Sequence, residues 1–295
     1  MLLNFSPKNF AFQILLVAFF AAGCATHPQV ETVPLVRVLP NDSGITLDEF
    51  QPHGPKYLLG GIILDSSGQP APYDVPTGVW ANAQRIEPLH NTEPRYFIPA
   101  SGSVQVVSIE KPADYNTPYK DFKAGLEQWR QLINSDPLDP ETQAYLYRKQ
   151  LSEIPWMNAG RCFHAKLRRR SFPWGKAVLY LTSYVQGKTG GPVSNDMLVL
   201  VLQGITKDDR YAVNARMEIR HPGLPDSLWD KRTEGLAVFS IDDQTAEAEK
   251  WLDAQPDDSF RPTFRQYEEF FAALRISPGK PYVPATTGSG TPNPH

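Results

Sequence analysis

The 295-residue chain has only two cysteines, six scattered histidines and no excess of basic residues. Two cysteines exclude a disulfide framework. A formal net charge of −3 argues against a nucleic-acid-binding protein, whose surface is normally basic. The patterns HExxH, CxxC and GxSxG are absent, so neither a common zinc site nor a common hydrolase motif can be assigned. The sequence therefore predicts no catalytic residue, no metal and no cofactor.

Long hydrophobic runs are also scarce, and the one that stands out lies at the N-terminus. Residues 10–20 are apolar except for Gln13. This run is too short to span a membrane but has the length of a signal-peptide core. It follows a single positive charge, Lys8, and ends in Ala21-Ala22-Gly23-Cys24. Small residues followed by cysteine at this place resemble a bacterial lipobox.

The lipobox resemblance implies that residues 1–23 are removed and that Cys24 is the lipidation site. In such signals the cysteine sulfur is diacylated and the new N-terminus is acylated, which exceeds the two chains needed for stable anchoring. Ala25 stands where retention in the inner membrane would call for Asp, so the resemblance implies the periplasmic side of the outer membrane. The alternative is an ordinary secretory signal cut after Gly23, with Cys24 an incidental thiol.

The mature chain divides by composition into three parts. Residues 24–56 hold the lipidated cysteine and a Pro-, Asp- and Gly-rich tether, in which residues 33–38 have the pattern of a short strand. Residues 57–277 are predicted to form a single domain. Residues 278–295 have almost no apolar anchor and are predicted to be a disordered tail.

Hydrophobic periodicity predicts an α+β domain: an antiparallel β-meander sheet flanked by helices and closed by a C-terminal helix. Short connections between the later strands favour antiparallel neighbours. The strands are predicted at residues 78–86, 103–109, 162–172, 176–186, 197–204 and 211–220. The helices are predicted at residues 117–134, 139–152, 244–254 and from about 262 onwards.

Five segments carry a resemblance to known proteins: residues 154–159, 174–184, 193–198, 202–211 and 221–225. Their order and spacing resemble a family of secreted and lipid-anchored bacterial proteins that has no assigned reaction. Asp209 stands where that family tends to have glycine. The architecture is similar to the PsbP/Mog1 type, whose members usually bind and assemble. This resemblance implies a binding role and transfers no catalytic residue.

One strand and its turn supply the candidate binding surface: Arg168, Arg170, Trp174 and Tyr184. Arg168 and Arg170 share one face of the predicted strand at 162–172 with Lys166. There they could bind phosphate, a lipid headgroup or an acidic partner. The alternative is a solvated face that protects a sheet edge. The two aromatic residues are either exposed anchors for a partner or staples that tie loops to the core.

Other motifs give weak support for a phosphate-binding or metal site. Gly187-Lys188-Thr189 is not followed by the helix that a phosphate-binding loop requires. Cys162 and His164 alternate on one strand and could meet His221 in a metal site. The alternative is that the thiol and the imidazole only share a strand face. The acidic cluster at 253–258 is expected to be solvated or to neutralise an arginine.

The functional hypothesis favoured by the sequence is a lipid-anchored envelope protein that binds an unidentified protein or envelope polymer and is not catalytic. One alternative is an enzyme, such as a hydrolase, whose active site is assembled only in three dimensions. Another is a carrier or sensor of a lipid or small molecule. A pocket with two titratable groups of shifted pKa would favour the enzyme, and an apolar cavity between sheet and helices would favour the carrier.

Overall fold

The structure is a computed structural model. The residues that it describes are 34–47, 50–52, 78–85, 102–109, 122–134, 160–185, 191–227, 229 and 234–279. The predicted signal peptide, the helix at 139–152, the Gly187-Lys188-Thr189 motif and nearly all of the tail lie outside these residues.

The described residues form strands and helices of an α+β fold, as predicted. The strands are β1 Leu35–Val38, β2 Ile45–Leu47, β3 Gln51–Pro52, β4 Gly78–Arg85, β5 Ser103–Ser108, β6 Gly160–Arg161, β7 Ala165–Phe172, β8 Gly175–Val185, β9 Leu198–Thr206, β10 Tyr211–Glu218 and β11 Leu274–Ser277. The helices are α1 Phe122–Asn134, α2 Thr245–Ala254 and α3 Phe264–Ala273, with a 3-10 turn at Asp257–Ser259. None of the described helices is long and apolar enough to cross a membrane.

The antiparallel meander is confirmed. Strands β7, β8, β9 and β10 pair in sequence order, and β10 then pairs with β5, which pairs with β4. A two-residue turn, Pro173-Trp174, joins β7 to β8. Strands β2 and β3 both pair with β4, at the opposite edge of the sheet from β7.

Hydrophobic cores lie on both faces of this sheet. On one face, alternate residues of β8, β9 and β10 pack against α2 and α3. On the other face, Val178, Tyr180 and Val201 pack against α1, and Trp129 stacks on Tyr180 with ring centroids 6.5 Å apart. Every residue of β9 is buried, as expected for a central strand covered on both sides. The face that packs against α2 and α3 is called the α3 face below, and the face that packs against α1 is called the α1 face.

Strand β7 contains a β-bulge that the sequence pattern does not show. Ala165 pairs with Leu181 and Arg168 with Leu179, so β7 has one extra residue at this point, and Lys166 has a φ of 57°. A bulge shifts the alternation of the following residues. Leu167, predicted to share a face with Ala165, therefore packs on the α1 face, while Arg168 falls on the α3 face.

Helix α3 is the predicted closing helix. Its start is fixed by a capping box, in which the Thr263 hydroxyl accepts from the Gln266 amide and the Gln266 side chain accepts from the Thr263 amide. Its buried residues repeat at helical spacing: Phe264, Tyr267, Phe270 and Phe271. This stripe packs on the sheet, which is where an apolar face of this width has to lie.

The prediction that the folded body begins at residue 57 is wrong. Strand β1 pairs antiparallel with β11 from Leu35↔Ser277 to Val38↔Leu274, and β2 joins the main sheet through β4. Val36 and Ile45 are buried in the core. The short strand predicted at 33–38 is present as β1, but the proline- and glycine-rich composition of the segment concealed β2 and gave no sign that both strands pair with partners distant in sequence. The part of the predicted tether before residue 34 lies outside the described residues.

Candidate functional site

Three basic side chains of β7 are paired with groups on or beside the helices of the α3 face. Arg168 donates to both carboxylate oxygens of Asp257, one at 2.9 Å, and Lys166 Nζ lies 3.4 Å from the same carboxylate. Arg170 Nε donates to Glu268 Oε1 at 2.8 Å. The hydrogen bonds from Arg168 hold the pKa of Asp257 below its usual value. Acidic residues of this chain therefore neutralise Arg168 and Arg170, and the charged binding surface that the sequence suggests there stays a prediction.

The aromatic members of the predicted surface are also built into the fold. Trp174 is 5% exposed, stacks on Phe172 and donates its indole Nε1–H to the Phe271 carbonyl at 2.8 Å. Of the two alternatives for Trp174, the structure therefore supports the staple, because α3 covers the turn and supplies the partner for the indole nitrogen. Tyr184 is half-buried beside the core of the α1 face, with the guanidinium of Arg216 5.9 Å from its ring centroid.

The groups proposed for a metal site have separate roles. Burial raises the pKa of the Cys162 thiol to about 11, and the Asp242 carboxylate adds to this, so the thiol stays protonated and is a poor nucleophile. His164 packs over Tyr180, and His221 packs between Trp251 and Phe260. Within the described ranges, no three His, Cys, Asp or Glu side chains are grouped closely enough to hold a metal ion.

His164 gives a pH prediction. Burial, with a contribution from the charge of Arg161, lowers the pKa of His164 to about 3. The unfolded chain takes up this proton below pH 6.5 while the folded chain does not, so stability is full above that pH and falls as the pH drops towards 3. The side chain is only partly buried, so we expect a loss of about 1–2 kcal/mol between pH 7 and pH 5.

Urea denaturation at pH 7, 6 and 5 measures this loss. His164→Phe keeps a ring on Tyr180 but cannot take up a proton, so its free energy of unfolding should fall less over this range than that of the wild type. Carboxylates such as Asp257 titrate at lower pH and do not contribute to the difference. Identical pH dependence of the two proteins would contradict the assignment to His164.

A different group of side chains forms a buried and well hydrogen-bonded polar site in the described part of the chain. The side chain of Asn195 donates from Nδ2 to the carbonyls of His221 and Leu224, both at 3.1 Å, and its Oδ1 accepts from the His221 amide at 2.8 Å. The Asn195 amide donates to the Pro225 carbonyl at 2.8 Å. Asn195 and His221 are both buried. We call these two residues and their bonds the Asn195–His221 clamp.

His221 is also held through its ring. Nδ1 accepts from the Gly223 amide at 3.0 Å, and Nε2 lies 3.0 Å from Ser259 Oγ. Burial lowers the pKa of His221, with a contribution from the charge of Lys166. Because Nδ1 is an acceptor in the neutral ring, Nε2 carries the proton and donates to Ser259. Ser259 in turn donates to the Pro256 carbonyl at 2.6 Å. This is the reverse of the arrangement that activates a serine nucleophile.

Comparison with family models, curated proteins and solved structures finds no match to this chain. The resemblance to secreted and lipid-anchored bacterial proteins and to the PsbP/Mog1 type therefore stays a prediction. The site has to be judged from its own geometry.

The Asn195–His221 clamp holds one foot of the segment 221–241, of which residues 221–227, 229 and 234–241 are described. We call this segment the clamp loop. One foot is His221 itself. The other is tied by the amide of Val193 donating to the Phe239 carbonyl at 2.8 Å and by the amide of Ile241 donating to the Gly191 carbonyl at 3.0 Å. Between the feet, Trp229 is 85% exposed. An exposed tryptophan on a rigidly based loop is typical of a recognition element.

Sequence reasoning missed this site although it noted both segments that build it. Residues 193–198 and 221–225 were singled out for their resemblance to other proteins, and they meet through Asn195 and His221. A buried asparagine that bonds to backbone has no periodicity of its own. The usable signal was that two segments with polar residues, the second of which also contains proline and glycine, border the ends of neighbouring strands.

A surface hollow of about 820 Å³ lies at the N-terminal segment. It is lined only by residues of the N-terminal segment 36–50, with apolar side chains such as Val36, Leu47 and Phe50. The carrier alternative expects a cavity between sheet and helices. This hollow lies elsewhere, so it does not favour that alternative.

Proposed function

We propose that this protein is a lipid-anchored envelope module that binds a protein or an envelope polymer on the periplasmic side of the outer membrane. Support for the anchor comes from the lipobox-like sequence that ends in Cys24. Support for binding comes from the clamp loop, which joins a rigid base to an exposed aromatic residue. The Ser259–His221 pair, the most enzyme-like arrangement among the described residues, has the wrong hydrogen-bond direction for nucleophilic catalysis.

The pairing of β1 with β11 is the observation that carries this proposal furthest. A tether reaching to residue 56 could extend about 115 Å at 3.6 Å per residue. The body instead begins at Leu35, only eleven residues after Cys24, so the reach is at most about 40 Å. A domain on so short a tether works close to the bilayer. Its partner is therefore itself close to the membrane, or extends to it.

The first test is the lipid anchor. We expect Cys24→Ser to move the protein from the membrane fraction to the soluble fraction of the envelope, because no acyl chain then holds it. Fractionation after high-salt and carbonate washing measures this. Cys162→Ser is the matched control, since this thiol stays protonated in the fold, and it should leave the distribution unchanged. A Cys24→Ser protein that resists both washes would contradict the anchor.

The second half of the proposal is binding, and crosslinking of the anchored protein in cells followed by mass spectrometry tests it. A partner recovered in near-equal amount supports a binding module. A protein recovered alone contradicts it.

A further inference from the structure

We propose that the outer face of the two-stranded ribbon formed by β1 and β11 lies against the bilayer, where its arginines bind the phosphate groups of anionic phospholipids. This inference rests on the proposed lipid anchor and adds the surface with which the anchored domain contacts the membrane.

The two sides of the ribbon differ in chemistry. The inner side packs into or against the core of the α3 face and consists of Val36, Val38, Leu274 and Ile276. The alternate residues point to the other side, which we call the ribbon face: Leu35, Arg37, Arg275 and Ser277. Leu35 is 60% exposed and is one of three large apolar side chains that are exposed among the described residues. The ribbon face therefore displays an apolar side chain beside two basic ones.

The two arginines of the ribbon face are directly opposite each other. Arg37 is the antiparallel partner of Arg275, and the Cβ atoms of such partners are only about 5 Å apart. Neither guanidinium is paired with a carboxylate in the ranges that the structure describes, whereas Arg168 and Arg170 are. Asp42, the one acidic residue within 34–47, lies in the loop after β1. Like charges in this arrangement destabilise a sheet, and an anion bound between them removes the repulsion.

The backbone holds one of these arginines in place. Nη1 of Arg275 donates to the carbonyls of Ala272 and Leu274, both at 2.8 Å. These carbonyls lie at the C-terminal end of α3, which favours a cation. Both bonds use Nη1, so the Nε and Nη2 donors of Arg275 are left for a ligand. Paired donors of a guanidinium match the oxygens of a phosphate group.

The place of the ribbon in the chain identifies the partner as a bilayer. Leu35 is eleven residues after Cys24, and the residues between them contain one charged side chain, Glu31. An acyl chain on Cys24 keeps the ribbon at a high effective concentration beside the membrane. There the exposed leucine enters the interface and the arginines meet the phosphates. A free phosphate ion would use the arginines and leave Leu35 without a contact.

Photo-crosslinking of the full lipidated chain in vesicles tests the inference. p-Benzoyl-phenylalanine is placed at position 35, or at the control position Glu127, an exposed residue of α1 on the opposite sheet face from the ribbon. In vesicles of phosphatidylcholine and phosphatidylglycerol, we expect phospholipid adducts from position 35 at about five times the yield from position 127. Vesicles of phosphatidylcholine alone should lower the yield from position 35, because their surface has no net charge.

Charge reversal at Arg37 makes the test specific. Arg37→Glu places a carboxylate opposite Arg275, so the fold should be at least as stable, yet the adduct yield from position 35 should fall about fivefold. The matched control Lys250→Glu changes an exposed lysine of α2 and should leave the yield unchanged. Equal yields from positions 35 and 127, a yield indifferent to Arg37→Glu, or an equal fall with Lys250→Glu would each overturn the inference.

Flotation of the vesicles separates this inference from the proposed anchor. A chain that floats with the vesicles but gives no excess adduct from position 35 retains the anchor and contradicts only the ribbon face. A chain that does not float contradicts the anchor, and the inference fails with it.

Discussion

Trp174→Ala is expected to lower the free energy of unfolding by about 3–5 kcal/mol, the range for removing a buried tryptophan. The indole stacks on Phe172 with ring centroids 5.3 Å apart and donates to the Phe271 carbonyl. It also lies so close to Gly204 that a Cβ there would approach the ring to 2.6 Å. Alanine would therefore leave a large cavity between the β7–β8 turn and α3. Urea denaturation followed by circular dichroism measures the loss.

Two further variants separate packing from other effects. Pro173→Ala changes the exposed neighbour in the same turn and should cost less than about 1 kcal/mol. Trp174→Phe keeps a ring but loses the Nε1–H donor. We expect an intermediate loss of about 1–2 kcal/mol, because the Phe271 carbonyl still accepts from the Leu274 amide. An unchanged urea midpoint for Trp174→Ala would mean that Trp174 does not contribute to the core. It would favour the exposed binding role that the sequence allowed.

Local sequence patterns were sufficient to predict most of the fold. The unbroken apolar run of β9 predicts a strand covered on both faces, and the structure buries every residue of it. The capping residues at 263–266 and the aromatic stripe of α3 likewise depend on neighbours within one helix. Features made by distant partners could not be predicted. Strand β1 is four residues long, and its pairing with β11 depends on residues more than 230 positions away.

The bulge in β7 shows how one such feature misdirected the site prediction. Strict alternation put Arg168 on an outer face, but the extra residue at Lys166 changes the register. Contacts from α2 and the residues after it hold the bulge: the Lys166 amide donates to Asp253, and its Nζ donates to the Gln255 carbonyl. The basic strand and the acidic cluster were both visible in the sequence. Their mutual pairing follows only from the fold.

The two tryptophans Trp174 and Trp229 show the same limit. Each lies in a polar turn or loop, and no sequence rule separates them. The structure does so because α3 packs over Trp174 and provides a carbonyl acceptor, whereas Trp229 is left 85% exposed. Sequence patterns did not single out Trp229, and only the packing of α3 over the β7–β8 turn distinguishes the two.

Asn195→Ala is expected to open the clamp loop and to lower the free energy of unfolding by about 3–5 kcal/mol. The change removes three hydrogen bonds and leaves the buried His221 amide and Leu224 carbonyl without the Asn195 side chain. The His221 carbonyl still accepts from the Leu224 amide. Each unsatisfied buried group costs about 1–3 kcal/mol, and the sum is reduced by local rearrangement. Asn41→Ala is the matched control, since the Asn41 side chain bonds to Leu39 and Ser43 beside it. It should cost about 1 kcal/mol or less.

Hydrogen exchange distinguishes an opened loop from a generally weaker protein. A local cost of about 3 kcal/mol corresponds to roughly 100-fold faster exchange of the His221 amide, which should exceed the acceleration in the β9 core. If exchange at His221 rises no more than in β9, the clamp does not organise this end of the loop.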